Sequence, residues 1–508
     1  MKKRVKTTAV TIILALIMTV FLFACGDNQS SSSSESNQPS KESKTEPPVE
    51  LVMTVSLVGN PPADLQLVTD EINKYLIEKI NAKIKVVPIS FGSYSQQINL
   101  MLTGKEQLDL MVTGPQIGFT SQVGKNQLLP LNEYLNDHGQ GILEVVDKEI
   151  MKVGMVKGEP YAVPVIGNSV QGRGFVLRKE IADKYNVDMT KIKTLDDVEA
   201  VLKVIKENEP DVVPLVPDKP GESILSYYET GDTLGDSIGY LPNFDNDLKV
   251  VNLYETQEYS DLLNRMKRWY DAGYLLQDGS TNKEDARSLL GAKRAAAYFG
   301  TISARSDEAF SKIEFGTDVV RSMILRPALQ TSTAARLLWA IPRNSQHPEK
   351  AMEVLNLLYT DETFVNLIDY GLEGKHYVKL EDGRIDYPQG VDRNNSPYPG
   401  NWNFLFGNMY LAYVKLPNEV EFHEINKASH ENAIRSKALG FNFDPNPVRT
   451  QYAAVRSVLD KYKLGLETGM LDPAKVLPEF IAQLKVAGID EVIAEKQKQL
   501  DEWAATNK

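Results

Sequence analysis

The chain has 508 residues, of which 56 are Lys or Arg and 68 are Asp or Glu, so its formal net charge is −12 at pH 7. Because binding to a nucleic-acid backbone requires an excess of Lys and Arg, this balance argues against a nucleic-acid partner. The length allows a large core and indicates at least two lobes. With a single cysteine, Cys25, no disulfide within the chain can support that core.

The first 24 residues have the order of a bacterial secretion signal. Four basic residues precede the apolar run 7–23, which leads to Ala24 and then Cys25. This order predicts a signal peptide over 1–24. A cysteine directly after a small residue resembles a lipobox, in which the thiol takes a diacylglycerol and becomes the new N-terminus. A transmembrane anchor is the alternative, because the run approaches the ~17–25 residues that span a bilayer.

Residues 25–48 are predicted to be a disordered tether. Between Gln29 and Glu46 nearly every residue is Ser, Asn, Gln, Pro, Lys or Glu, and serine occupies every position from 30 to 34. Such a composition cannot bury apolar surface. The segment would connect a lipid anchor in the membrane to the folded body.

The folded body opens with strands and helices in alternation. The predicted elements are, in chain order, the strand 51–58, the helix 64–80, the strand 83–89, the helix 93–102 and the strand 108–112. Ser93 is the candidate N-cap of the second helix. A β-α-β-α-β order predicts an α/β fold with parallel strands and a binding site at their carboxyl ends. Those ends carry residues 59–61, 90–94 and 113–114.

Further strands and helices follow as far as the C-terminus. The pattern predicts a hairpin over 156–164, a strand-to-helix unit over 174–185, helices over 195–207, 259–272 and 349–359, and strands over 212–216, 295–299, 318–325 and 337–341. From Val448 onward the chain is predicted to be nearly all helix, with a break near 469–473. No internal repeat is visible.

Five stretches occur in a defined order along the chain. They are Leu102–Leu110, Gly158–Pro164, Ile341–Met352, Gly371–Tyr377 and Gly488–Trp503. In this order and behind a lipobox, they resemble the extracellular solute-binding lipoproteins of bacterial ABC importers, specifically the large carbohydrate-type subgroup of family 1 with an extra C-terminal domain. Thr103, Glu159 and Pro160 depart from the pattern of that family.

The resemblance implies a two-lobe fold of the periplasmic-binding-protein type, with a hinge and an interlobe cleft that closes on its solute. The expected division is an N-lobe formed by 49–165 and 324–375 and a C-lobe formed by 166–323 and 376–508, the latter with a helical C-terminal extension. We expect the chain to cross between the lobes near Val165, Leu325 and Lys375.

The function that the resemblance implies is capture of an extracellular solute, an oligosaccharide in the first place, and its delivery to a membrane permease. The expected partners are the solute, the ABC permease subunits and, through the lipid anchor, the extracytoplasmic face of the cell membrane, with the protein itself a monomer. Three alternatives stay open: a receptor for a peptide or another polar solute, the ligand-binding partner of a sensor, and an anchored glycoside hydrolase. The last remains because two catalytic carboxylates need only be close in space.

No cofactor, metal or catalytic set is expected. His423 and Glu424 begin like a zincin motif, but Lys427 stands where the second histidine is required. The segment 245–247 resembles the start of a calcium loop, but Lys249 occupies a ligand position. Capture without catalysis is therefore the leading hypothesis.

Aromatic residues in loops and at strand ends are the candidate ligand-binding residues, because sugar rings present apolar C–H faces to aromatic planes. Trp402 is the first candidate, since it lies in a loop-like stretch with polar neighbours. The end of the strand near 295–299 is where related proteins place cleft residues. The full set of candidates is Trp402, Tyr298, Phe299, Thr301, Tyr94, Thr113, Trp339 and Tyr161. A packing role in the core is the alternative for Trp339.

Overall fold

The computed structural model describes residues 46–104, 106–167, 170–279, 281–303, 305–400 and 405–506. The predicted signal peptide, Cys25, nearly all of the predicted tether and Trp402 lie outside these residues. Pro47 and the chain that follows it form one compact unit. In the described part of the chain, no helix has the length and apolar character needed to cross a membrane.

Short and long strands alternate with helices throughout this unit. The strands are β1 (Val49–Leu57), β2 (Ala82–Ser90), β3 (Leu110–Thr113), β4 (Met155–Val156), β5 (Glu159–Pro160), β6 (Val163–Pro164), β7 (Gly172–Arg178), β8 (Val213–Pro217), β9 (Gly231–Asp232), β10 (Leu241–Pro242), β11 (Ala295–Ile302), β12 (Val319–Leu325), β13 (Ala328–Leu329), β14 (Leu338–Ala340), β15 (Val378–Lys379), β16 (Ile385–Asp386) and β17 (Ile434–Arg435).

The α-helices are α1 (Leu65–Ile80), α2 (Phe91–Thr103), α3 (Phe119–Gly124), α4 (Asn132–His138), α5 (Gln140–Val145), α6 (Lys148–Met151), α7 (Lys179–Lys184), α8 (Leu195–Asn208), α9 (Gln257–Asp271), α10 (Ala286–Gly291), α11 (Asp307–Glu314), α12 (Thr331–Ala334), α13 (Pro348–Thr360), α14 (Glu362–Tyr370), α15 (Phe422–Glu431), α16 (Arg449–Glu467), α17 (Pro473–Ala487) and α18 (Ile489–Thr506). Single 3₁₀ turns cover Lys152–Gly154, Met189–Lys191, Ile224–Tyr227, Asn246–Leu248, Leu253–Glu255, Met409–Leu411 and Asn446–Val448.

The first sheet has five strands in the order β2-β1-β3-β14-β6. β1 is parallel to β2 and β3, whereas β14 is antiparallel to β3 and β6. Leu51, Met53 and Val55 of β1 are fully buried, as expected for a parallel sheet that helices cover. The predicted β-α-β-α-β opening is confirmed. The predicted N-cap Ser93 is wrong, because α2 begins at Phe91 and its N-cap is Ser90.

The second sheet has four strands in the order β12-β7-β11-β8. β11 is parallel to β8 and antiparallel to β7, which is also antiparallel to β12. Helix α8 begins at a capping box in which Thr194 and Asp197 satisfy each other's backbone N–H groups. Its buried residues Val198, Leu202 and Ile205 pack into the core of this sheet.

Each sheet has its own large cluster of buried apolar side chains, here named the first core and the second core. The helices α16, α17 and α18 pack on the second core through residues such as Leu466, Phe480 and Val492. Tyr398 and Phe406 instead belong to the first core. The predicted lobe boundaries remain predictions, but these contacts favour placing Tyr398 and the segment 405–409 with the first core rather than the second.

A stretch over 434–444, here named the bridging segment, contacts both cores. Ile434 and Arg435 pair with β13, and the amide of Asn442 donates to the carbonyl oxygen of Val153 at 3.2 Å. On the other side, the hydroxyl of Ser436 donates to Asp232 at 2.5 Å. The bridging segment is therefore a third connection, in addition to 165–171 and 326–337, and it favours a crossing here over the expected one near Lys375.

Candidate functional site

Two chain connections join the strand ends at one edge of the first sheet to the strand ends at one edge of the second. The chain leaves the end of β6 and enters the start of β7 through 165–171, and it leaves the end of β12 and enters β14 through 326–337. The start of β7 lies at the same edge as the ends of β8 and β11, and the start of β14 lies beside the end of β3, because both pairs are antiparallel. The space between these edges is the candidate site.

Arg173, at the start of β7, is the centre of a group of polar side chains at this edge. Its Nη1 donates to the hydroxyl of Thr301, at the end of β11, over 3.4 Å. Its guanidinium carbon lies 5.9 Å from the centroid of the Tyr227 ring, a cation–π distance. The buried Nε of Arg173 has no hydrogen-bond partner among the described residues. A ligand with an acceptor oxygen would satisfy it.

Glu229 and Gln330 complete this group, which we name the polar cluster (Arg173, Glu229, Thr301 and Gln330). Burial raises the pKa of the Glu229 carboxyl, against the lowering effects of Arg173 and of a hydrogen bond from Gln330. Gln330 is buried, and its Oε1 has no hydrogen-bond partner in the described part of the chain. Because Gln330 lies in the connection 326–337, the cluster joins the second sheet to a segment that leads back to the first.

Asp218, directly after β8, lies beside the polar cluster. Burial raises the pKa of its carboxyl, and Arg287 opposes this effect from 3.4 Å. A Cβ added at Gly300 would lie 2.7 Å from the Cβ of Asp218 and 2.8 Å from the Tyr298 ring. Glycine is therefore required where β11 passes Asp218.

A cavity of about 480 Å³ opens at the ends of β11 and β12. Its lining residues are Ile302, Ser303, Arg305, Ser306, Asp307, Arg321, Met323, Glu419 and Ile425. The volume lies within the ~300–1,000 Å³ typical of ligand pockets. The backbone N–H of Ser306 donates to the Glu419 carboxylate. Burial acts to raise the pKa of Glu419, but hydrogen bonds from Ser306 outweigh it and lower the value.

Three of the predicted site residues lie in the first core. The hydroxyl of Tyr94 donates to the carbonyl oxygen of Val112 at 3.0 Å, and burial raises its pKa. The hydroxyl of Thr113 donates to the side-chain oxygen Oε1 of Gln122 at 2.6 Å. The indole N–H of Trp339 donates to Leu405 at 2.6 Å. These contacts favour packing roles for Tyr94 and Trp339, whereas Thr113 lies at the end of β3, beside the start of β14; ligand contacts by all three stay predictions.

The other predicted residues divide between the core and the site. Tyr298 and Phe299 are buried on opposite faces of β11, against Phe315 and Tyr228 respectively. Tyr161 is half-buried, and its hydroxyl donates to Glu159 within the hairpin. Among the described candidates, the structure brings Thr301 into the polar cluster, and ligand binding by all of them stays a prediction.

The sequence analysis missed most of the polar cluster. Arg173, Glu229 and Gln330 come from distant segments and belong to no motif. One available signal was the glycine on either side of Arg173. A Cβ at Gly174 would lie 2.1 Å from the carbonyl oxygen of Ser322, so β7 packs tightly against β12 at this point. Arg173 is the charged residue next to this tight contact.

The letters of a hydrolase motif, G-x-S-x-G, occur at Gly235–Gly239. In α/β-hydrolases this motif forms a sharp turn between a strand and a helix. Here it lies in the loop between β9 and β10, which pair antiparallel. The structural context of a nucleophile elbow is therefore not met. The described residues also contain no group of His, Cys, Asp or Glu side chains that could hold a metal ion.

Comparison with known proteins gives the following matches. The model of the bacterial extracellular solute-binding protein family matches residues 61–363, and a domain of unknown function (DUF3502) matches residues 437–505. A carbohydrate ABC transporter substrate-binding protein of Streptococcus pneumoniae is 27% identical over 468 residues, which cover 90% of this chain and 92% of that protein. Lipoprotein LipO of Bacillus subtilis is 24% identical over 63% of this chain and 66% of its own length.

The fold is also similar to a solved structure. The N-glycan transport solute-binding protein (NgtS) of S. pneumoniae has a TM-score of 0.80 and 25% identity, covering 91% of this chain and 100% of that chain. For the same pneumococcal protein in complex with Man5GlcNAc, the TM-score is 0.65 at 26% identity and the same coverage.

Proposed function

Because the chain belongs to the family of bacterial extracellular solute-binding proteins, we propose that it captures an oligosaccharide outside the cell and delivers it to the permease of an ABC importer. The observation that carries this proposal is the similarity, over 90% of the chain, to a carbohydrate ABC transporter substrate-binding protein. The polar cluster supports it, because it offers both donors and acceptors to a ligand rich in hydroxyl groups.

The ligand would bind between the facing strand ends. Arg173 would donate to ring or hydroxyl oxygens, Glu229 would accept from hydroxyl groups, and Thr301 can do either. Trp402, outside the described residues, is proposed as a stacking platform. No bond is broken in this scheme, so the protein acts as a receptor and not as an enzyme.

The two sheets would move toward each other when a ligand binds. The same pneumococcal relative differs more from this chain in its Man5GlcNAc complex (TM-score 0.65) than in the other crystal structure (0.80), which supports a change of shape on binding. Small-angle scattering with and without saturating ligand measures this. We expect a smaller radius of gyration with ligand, and an unchanged radius would indicate a rigid site.

A lipid on Cys25 would hold the protein at the extracytoplasmic face of the membrane. The lipobox-like order and the similarity to a lipoprotein of B. subtilis support this. We expect Cys25→Ala to abolish incorporation of a labelled fatty acid and to release the processed protein from the membrane. Equal labelling of the variant and the native protein would refute lipidation at this site.

Calorimetric titration tests the main proposal. We expect the purified protein to bind Man5GlcNAc or another oligosaccharide and not a peptide of similar length. Thr301→Val, which keeps the shape of the side chain and removes the hydroxyl next to Arg173, should weaken binding by about 1 kcal/mol. Binding of peptides and not of any oligosaccharide would favour the alternative receptor function.

The predicted stacking residue has its own test. Trp402→Ala should weaken binding by about 1–3 kcal/mol, by analogy with bases that stack on aromatic side chains. Its effect on thermal unfolding should be small compared with the ~3–5 kcal/mol cost of truncating a core aromatic. A large fall in melting temperature with unchanged affinity would place Trp402 in the core.

A further inference from the structure

A second cavity, of about 200 Å³, adjoins the polar cluster. It shares Glu229 with that cluster, and its walls include three tyrosines: Tyr228, Tyr240 and Tyr259. We name it the tyrosine chamber. The hydroxyls of Thr230 and Tyr240 are 2.8 Å apart, and Thr230 also donates to Glu258 at 2.6 Å. The chamber thus combines apolar ring faces with fixed hydrogen-bonding groups.

One wall of the chamber comes from α16, which lies within the C-terminal domain of unknown function. Lys463 and Glu467 of this helix line the chamber, with Nζ and Oε1 3.7 Å apart. The buried Glu467 also accepts hydrogen bonds from Ser223 at 2.8 Å and from Tyr259 at 3.2 Å. These contacts hold the carboxylate in position, so the helix presents a preorganised acceptor next to the ammonium donor of Lys463.

An adjacent cavity of about 320 Å³ lies along the same helix. It shares four lining residues with the chamber, Ser226, Ser237, Lys463 and Glu467. Tyr254 also lines it, is 1% exposed, and its hydroxyl has no hydrogen-bond partner among the described residues. An unsatisfied buried hydroxyl costs free energy, and a polar ligand or water would relieve that cost.

We propose that the tyrosine chamber is a subsite that receives one additional sugar residue of a branched oligosaccharide held in the interlobe cleft, with α16 forming one wall. The inference rests on the proposed function. A volume of about 200 Å³ suits one sugar ring better than a chain, because it is below the ~300–1,000 Å³ of pockets for larger ligands. Glu229 belongs to both places, so a sugar residue in the chamber and one at the polar cluster would contact the same side chain.

The domain of unknown function would then take part in ligand binding. It would contribute Lys463 as a donor and Glu467 as an acceptor to the recognition of the branch. The three tyrosine rings would cover its C–H faces. This domain would therefore contribute to recognising the size of the ligand as well as its chemistry.

The test compares two probes, Man1GlcNAc and Man5GlcNAc, by calorimetric titration of the purified protein. Native protein should bind Man5GlcNAc more tightly. Thr233→Phe places a ring in the chamber and should lower the affinity for Man5GlcNAc about tenfold or more, the scale of losing a shaped pocket contact. Its affinity for Man1GlcNAc should stay within about twofold, well below that scale. Thr281→Phe, on the exposed surface, is the matched control and should change neither.

A second variant keeps the test decisive if Thr233→Phe does not fold, which thermal melting would reveal. Lys463→Met retains the aliphatic stem and removes the donor of α16. It should reduce the affinity for Man5GlcNAc selectively. Equal losses for both probes, or no loss for either, would overturn the subsite. Failure of the native protein to bind Man5GlcNAc would overturn the subsite, whereas failure to bind these probes and every other oligosaccharide titrated would overturn the proposed function as well, and both outcomes would be visible before any variant is made.

Discussion

The two cores differ in how they bury polar groups. In the first core, Asp109 is fully buried and accepts hydrogen bonds from the backbone N–H of Val52 at 2.8 Å and from Ser345 at 2.6 Å. Next to the second core, Lys496 of α18 is fully buried and donates to Asp236 at 2.6 Å. The first arrangement fixes neighbouring strands and loops, whereas the second holds a C-terminal helix against a distant loop by a charge pair.

This difference separates two sources of stability. A carboxylate that accepts several hydrogen bonds is solvated by the protein itself. A buried ammonium that depends on one carboxylate loses most of its compensation when that partner is removed. The first core should therefore respond mainly to changes in packing, and the attachment of α18 mainly to changes in charge. The following experiments test that contrast.

The largest effect is expected for Trp339→Ala in the first core. The indole is fully buried, and its ring centroid lies 6.0 Å from that of Phe406. Its N–H donates to the carbonyl oxygen of Leu405. Its loss should destabilise the protein by about 3–5 kcal/mol. Urea unfolding measures this, with Trp503→Ala at the half-buried end of α18 as the control. If Trp339→Ala lowers the free energy of unfolding no more than the control does, this core is loosely packed.

Lys496→Met should cost about 3 kcal/mol, because it leaves Asp236 without its cation. Burial lowers the pKa of Lys496, and Asp236 opposes that effect. Between this lowered pKa and the unfolded value of ~10.4, the unfolded chain binds more protons, so native stability should rise with pH there. The variant should lack this rise. Identical pH profiles for the variant and the native protein on the alkaline side, up to about pH 10.4, would contradict the assignment.

Asp369 is an exception within the helices that cover the first core. It is buried, and neither carboxylate oxygen has a hydrogen-bond partner among the described residues. Burial raises its pKa well above the usual value, so the folded state binds the extra proton and stability should fall as pH rises above about 4. Asp369→Asn should remove that fall and stabilise the protein at pH 7 by about 1–2 kcal/mol. A destabilised variant at pH 7 would indicate a hidden partner.

The smallest effect is expected for Arg435→Gln in the bridging segment. Arg435 pairs with Asp147 at 3.3 Å, and both side chains are more than a third exposed. Solvent screening limits such a pair to about 1 kcal/mol or less. Thermal melting in low and high salt should show a small difference that salt removes. A loss of several kcal/mol would mean that this contact controls how the bridging segment docks.

The sequence predicted local structure well where the signal is local. The opening strands and helices were placed within a few residues, because alternation and helical spacing depend on neighbouring positions. The position of the segment 405–409 was not predictable in this way. Its attachment to the first core depends on single contacts such as that between Trp339 and Leu405, which leave no periodic pattern.

The site was predicted less well than the fold. Large aromatic residues at strand ends were chosen as ligand contacts, but Tyr298 and Trp339 are buried because the same apolar surface that can stack on a sugar also drives burial in a core. The polar cluster depends on residues that meet only after the two sheets are formed. Thr301 was chosen as a candidate because it comes two residues after the predicted strand 295–299, and ligand binding by it stays a prediction.

The position of β14 sets an order of events during synthesis. This strand fills the place between β3 and β6, although about 170 residues separate it from β6 along the chain. The first sheet cannot be completed until Ala340 has been synthesised, and the second core waits longer still, for the helices α16, α17 and α18. A chain that ends before Leu338 should therefore leave β3 and β6 without the strand that lies between them, and limited proteolysis should cut its early segments faster than those of the full chain.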